Sequence, residues 1–106
     1  MSIEHRSLWL AVVLVLPLAI AQAAQAETIQ VVIDKMAFSP TAISAKVGDT
    51  IEWINKDPVV HTATVKGEWE VMLPAKKSVT QRLEKKEAVD FYCRFHPNMK
   101  GKLTVD

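Results

Sequence analysis

The single cysteine of this 106-residue chain, Cys93, stands three positions before His96 and six before Met99. A thiol, an imidazole and a thioether therefore share one short C-x-x-H-x-x-M segment. Magnesium and calcium take oxygen donors, and structural zinc takes four strong nitrogen or sulfur donors, so neither suits this set. Copper accepts a thioether, and a trigonal copper centre needs one thiolate, two imidazoles and a weak axial thioether. The segment supplies one imidazole. Outside the N-terminal leader the only other histidine is His61, 32 residues upstream of Cys93. It can reach the segment only if folding brings two distant strand ends together, and a site for one copper ion would then also clasp the fold.

Each donor also has a plainer reading. A lone cysteine serves as a small buried hydrophobe or an unpaired thiol, and a lone histidine is more often a surface or capping residue than a ligand. Methionine fills irregular gaps, the role expected of Met36 and Met72. A cysteine near a histidine also suggests a nucleophile and its base. No asparagine or aspartate orienter and no oxyanion-hole motif stands out beside this pair, and so small a domain offers little cleft, which argues against an enzyme. The joint use of the only cysteine, both remaining histidines and a methionine favours copper ligation by His61, Cys93, His96 and Met99.

The N-terminus reads as a secretory signal over residues 1–26. Arg6 and the α-amino group precede an apolar run over 8–21, and Ala24-Gln25-Ala26 forms a small-x-small cleavage site, with Ala23 the alternative. The 14-residue run falls short of the about 20 residues a membrane-spanning helix needs, so no anchor is expected after cleavage. The remaining 80 residues, 27–106, make one domain. It is small enough to need a staple, and with one cysteine the staple is not an internal disulfide. Loss of Arg6 and Glu4 leaves 12 bases and 11 acids, a net charge of +1 in which nothing suggests a nucleic-acid binder.

Short segments rich in valine, isoleucine, threonine and aromatics, broken by turn signals, predict an all-β domain. Strands are expected over 28–33, 42–46, 50–55, 62–65, 78–83, 89–93 and 102–105. The breaks between them are short, which favours a sandwich of two antiparallel sheets. Alternation puts Cys93 on the face of Val89 and Phe91, and Trp53 reads as a core anchor. Trp69, in a turn-rich stretch, has no assigned place. Pro97 is expected to stiffen the segment beside His96, and Gly101 to supply a backbone angle that other residues avoid.

The blocks FSPTAISAKVGDTIEWINKDPVVHT, LPAKKS and DFYCRFHPNMKGKLTV resemble the cupredoxins, and among them the amicyanin-like and plastocyanin-like small blue copper proteins. The resemblance implies a cupredoxin-like Greek-key β-sandwich with copper at one end. It implies His61, Cys93 and His96 as equatorial ligands, Met99 as axial ligand, and His96 as the electron port. It further implies a periplasmic, monomeric, outer-sphere one-electron carrier serving redox proteins such as a dehydrogenase or a c-type cytochrome. An exported copper storage or delivery protein is the alternative. Two positions depart from many relatives: Thr62 stands where an asparagine ties the ligand loops together, and Val89 where a tyrosine is frequent. The stretch 65–73 is also shorter than in amicyanins. Arg94, Lys100 and Lys102 beside Phe95, with Lys56, Lys76 and Lys77, suggest a positive rim that would steer an acidic partner surface.

Overall fold

The computed structural model describes residues 9–17 and 25–106. Residues 9–17 are exposed and carry no helix or strand; positions 1–8 and 18–24 of the expected leader, including Ala23, lie outside the described residues. No helix in the described residues is long and apolar enough to cross a membrane. Nine strands follow in chain order: β1 Thr28–Asp34, β2 Ala37–Ser39, β3 Ala42–Ala45, β4 Thr50–Asn55, β5 His61–Val65, β6 Trp69–Leu73, β7 Ser78–Arg82, β8 Glu87–Cys93 and β9 His96–Val105. They form a four-stranded sheet, β2-β1-β4-β7, and a five-stranded sheet, β3-β9-β8-β5-β6.

The all-β sandwich matches the expectation, but each sheet is mixed rather than purely antiparallel. β1 pairs with β4 in parallel, Val31 opposite Trp53, and β3 pairs with β9 in parallel, Ile43 opposite Leu103. Short connections force antiparallel pairing only between strands joined within one sheet. Here the chain crosses to the other sheet between β2 and β3 and back between β3 and β4, so β1 and β4 are free to run the same way. Two strands escaped the sequence reading. β2 is three residues long, and β6 lies in the stretch that held the unplaced Trp69. That tryptophan packs against the core and donates from Nε1 to Glu87 Oε1 at 3.0 Å.

Inward-facing residues of both sheets meet in one core. Trp53 is fully buried, and its ring stands edge-on to Phe38 and Phe91 at centroid separations of 6.0 and 5.4 Å, with Phe38 and Phe91 4.9 Å apart. Edge-to-face contacts of this kind add to the burial energy and fix ring orientation. Phe91 lies two residues before Cys93, so this aromatic triangle also sets the depth of the sulfur. Met36 and Met72 are not gap fillers: they are 42% and 45% exposed, one in the β1–β2 turn with φ of 63° and the other on outer strand β6.

Gly101 owes its place to space rather than backbone angle, since only Gly48 and Gly67 have positive φ among the glycines of the described residues. Gly101 sits opposite Phe91 in the β8–β9 ladder, and a Cβ there would lie 2.2 Å from the ring's Cζ. Neither the backbone nor the locked ring can yield that much. Gly101→Ala is expected to lower unfolding free energy by about 2–3 kcal/mol through overpacking. Gly67→Ala, with nothing within 4 Å of the added methyl, should cost only about 1 kcal/mol from its left-handed backbone. Urea denaturation of the two variants measures the difference.

Candidate metal centre

Cys93 ends β8 and His96 begins β9, and the two face each other across a turn made of Arg94 and Phe95. Beyond this pair the register slips: Tyr92 faces Lys100 while Cys93 faces His96, so one step on β8 spans four on β9. Pro97, Asn98 and Met99 fill the resulting bulge. Pro97 has no amide hydrogen to offer the ladder, which suits it to such an irregularity. Met99 is buried, at 5% exposure, while Pro97 and Asn98 are exposed. His96 and Met99 thus belong to a bulged strand, not to a loop preceding a strand at 102–105. Three paired positions were hidden by the proline.

His61 opens β5, the strand held between β8 and β6, and is fully buried. Two polar residues shape the turn before it. Asn55 accepts from the Asp57 amide at 2.9 Å and shares its own amide hydrogens among the carbonyls of Val59, Leu73 and Pro74 at 2.9 to 3.2 Å. Asp57 accepts from the amides of Lys35 and Met36 at 2.8 and 3.0 Å, and its Oδ2 lies 2.8 Å from His61 Nε2. Burial would raise the Asp57 carboxyl, but the His61 ring and then the Met36 and Lys35 amides outweigh it and hold the group below its ordinary range. An ionised carboxylate only accepts, so Nε2 carries the ring proton. In the neutral ring, Nδ1 then presents a lone pair toward Cys93 Sγ, 3.7 Å away. Asp57 looked like an ordinary turn residue beside Pro58, and no local pattern marked it as the orienter of His61.

The sulfur has three polar neighbours: His61 Nδ1 at 3.7 Å, His96 Nδ1 at 3.6 Å and the Thr62 amide at 3.4 Å, which donates to it. The two imidazole rings meet edge-on at 5.1 Å, and the sulfur and the two ring nitrogens all lie within 4.8 Å of one another. A first-row ion bonded at about 2.3 Å to sulfur and about 2.0 Å to nitrogen in trigonal geometry needs a sulfur–nitrogen separation of about 3.7 Å. Both observed separations fit. Cys93 is fully buried whereas His96 is half-buried, so the His96 ring alone of the three reaches toward solvent. A thiol without solvent access is a poor nucleophile for an external substrate.

Thr62 accepts from the Arg94 amide at 2.8 Å, so its hydroxyl does tie β5 to the residue after Cys93. The expected positive rim changes composition. The Arg94 guanidinium binds Glu70 through Nε at 2.7 Å and Nη2 at 3.3 Å and stacks 4.8 Å over Phe95. That guanidinium, followed by the Thr64 hydroxyl and against slight burial, holds the Glu70 carboxyl below its usual range. Arg94 is therefore neutralised. Lys56, Lys76 and Lys77 of the expected rim are exposed in turns at the same end of the sandwich as His61, where Lys35 joins them.

A family profile for the cupredoxin-like domain matches residues 7–105. Amicyanin from Paracoccus denitrificans is 37% identical over 97 residues, covering 85% of this chain and 73% of that protein. The crystal structure of amicyanin from Paracoccus versutus superposes with a TM-score of 0.65 at 27% identity, over 79% of this chain and 84% of the other. A Cu(I) structure of an amicyanin variant superposes with a TM-score of 0.64 at 29% identity, over 74% and 82%.

Asp49 is a third carboxylate held below its ordinary range, by the backbone amides of Glu27 and Lys46, at 2.9 and 2.8 Å, against burial. A carboxyl with a depressed folded value adds stability that is complete above its unfolded value, about pH 4, and is lost as pH falls through the folded one. Thermal unfolding of the metal-free protein is therefore expected to be steady from neutrality to about pH 5 and to fall steeply below about pH 4. Asp49→Asn should unfold earlier at neutral pH and lose less on acidification. A midpoint series against pH for both proteins checks this.

Proposed function

The chain belongs to the cupredoxin-like family, and from that premise we propose that it is an exported, periplasmic carrier of single electrons. It holds one copper ion with His61, Cys93, His96 and Met99. The observation that carries this reading is the approach of two imidazole nitrogens to one buried sulfur, with the His61 Nε2 proton committed to Asp57. The relatives that bear the name amicyanin, and the Cu(I) state of one of them, support the choice of ion.

When bound, copper supplies a one-electron couple whose two oxidation states prefer different coordination. The chain's own contribution is to keep the donors still. Cys93 is fixed by the aromatic triangle below it and by the Thr62 amide; His61 is fixed by Asp57; His96 is fixed by its pairing with Cys93 across the two-residue turn. The half-buried edge of His96 serves as the electron port, and water stays away from the sulfur. A copper-delivery role would need the donors to release their ion, and two of them, His61 and Cys93, have no exposed surface. Residues 1–26 act as the export signal, leaving 27–106 as the working domain.

The partners are redox proteins, such as a dehydrogenase or a c-type cytochrome, with an acidic surface facing the lysine-bearing turns. Adding cupric ion to the purified domain is expected to produce an intense visible band and a paramagnetic signal. Cys93→Ser should abolish the band and Met99→Gln should keep it in altered form; an unchanged spectrum in Cys93→Ser would remove the thiolate from the site. Association with an acidic redox partner should slow by about tenfold or more as salt rises, and a flat response would exclude electrostatic steering.

A further inference from the structure

Strand alternation places His61, Ala63 and Val65 on the core face of β5 and Thr62 and Thr64 on the other, yet both threonines are buried, at 0% and 7% exposure. Their hydroxyls lie 2.8 Å apart. Thr64 Oγ1 is also 2.9 Å from Glu70 Oε1, and Thr62 Oγ1 accepts from the Arg94 amide at 2.8 Å. The direction of every bond follows. The Glu70 carboxylate only accepts, so the single Thr64 hydroxyl proton goes to it. Thr62 must then donate to Thr64, which leaves a Thr62 lone pair for the Arg94 amide. Arg94 closes the circuit, because its guanidinium Nε donates to the same Glu70 oxygen.

As a surface ion pair, Glu70–Arg94 would contribute little, since the Arg94 side chain is 52% exposed. Its position at the end of a one-way hydrogen-bond chain gives it another role. A charged acceptor makes bonds roughly twice as strong as a neutral one, and aligned bonds polarise each other. We propose that Glu70 and Thr64 are positioning residues of the metal centre: through Thr62 they hold the Arg94 amide, next in the chain to Cys93, and the Cys93 sulfur itself, although neither Glu70 nor Thr64 touches a donor atom. Thr62 is the common member, accepting from the Arg94 amide with its hydroxyl and donating its own amide to Cys93 Sγ at 3.4 Å. The short β5–β6 hairpin, turned at Gly67, sets Glu70 opposite Thr64 and so makes the chain possible.

The link to a metal centre rests on the copper reading above; the hydrogen-bond chain itself does not. In the metal-free protein, Thr64→Val and Glu70→Ala should each speed hydrogen exchange of the Arg94 amide roughly fivefold, the equilibrium equivalent of about one neutral hydrogen bond, and move its proton resonance upfield. Thr64→Ser should restore wild-type behaviour, and Glu70→Gln, which keeps an acceptor but not the charge, should fall between. In the copper-loaded protein the reduction potential should drop in Thr64→Val and Glu70→Ala, because the Thr62 amide then donates less firmly to the sulfur, and should recover in Thr64→Ser. Wild-type exchange in Glu70→Ala, or a Thr64→Ser variant that behaves like Thr64→Val, would overturn the chain. Altered exchange with an unmoved potential would overturn its coupling to the centre. Failure of the wild-type protein to take up copper would count against the copper reading alone, since the exchange measurements need no metal.

Discussion

The register of β5 against β8 is the constraint from which the site follows. These strands share a single paired position, Thr64 opposite Tyr92, and beyond it the contact is carried by Thr62, whose amide reaches Cys93 Sγ and whose hydroxyl receives the Arg94 amide. His61 and Cys93 are 32 residues apart, so no local preference can bring them together. A slip of one residue would turn His61 to the outer face and put Thr62 in its place. Two features prevent it. Ala63 and Val65 bury their side chains in the core beneath β5, and the β5–β6 ladder runs without a break from His61–Leu73 to Val65–Trp69.

Register alone does not orient a ring. The imidazole of His61 is held by a buried polar cluster whose every member has a partner: Asn55 closes the turn, Asp57 gathers two amides of the β1–β2 turn, and the remaining capacity of Asp57 goes to Nε2. Networks like this add less to stability than to uniqueness, because an alternative ring orientation would leave the buried His61 Nε2 proton without its acceptor. The cluster also joins the two sheets at the site end, since Lys35 and Met36 follow a strand of one sheet and His61 begins a strand of the other. The donor geometry is thereby linked to the sandwich itself, not to one flexible loop.

Much of this was legible in the residues. The donor types pointed to His61, Cys93 and His96, whose donor atoms do lie within 4.8 Å of one another, and the strand over Thr50–Asn55 has the expected bounds because its alternation is strong and both ends carry turn residues. What stayed hidden has physical reasons. Parallel pairing of β1 with β4 is a property of which sheet the chain crosses to, and no single strand records it. Pro97 was expected to stiffen the segment beside His96, and the last strand was expected only from Lys102, whereas β9 already begins at His96 and a bulge absorbs the proline. Gly101 invited an argument about φ, while the true constraint is a ring ten residues away in sequence. Asp57 and Glu70 carried no periodic signal, since each acts across strands through a partner that only the tertiary fold supplies.

The 80 residues expected after cleavage contain one cysteine and so called for a staple other than an internal disulfide, and the metal was the obvious one. The structure adds further clasps at the same place. Among the described residues no buried side-chain nitrogen or oxygen lacks a hydrogen-bond partner, and the end of the sandwich that carries the donors is already closed by the Asn55–Asp57 cluster on one side and the Thr62–Thr64–Glu70–Arg94 circuit on the other. Ion binding would add stability by mass action at an end of the sandwich that these contacts already hold together. The same argument reaches function. Donors fixed by hydrogen bonds and aromatic packing that do not involve the ion keep their places when its charge changes, which is the property an electron carrier requires of its protein.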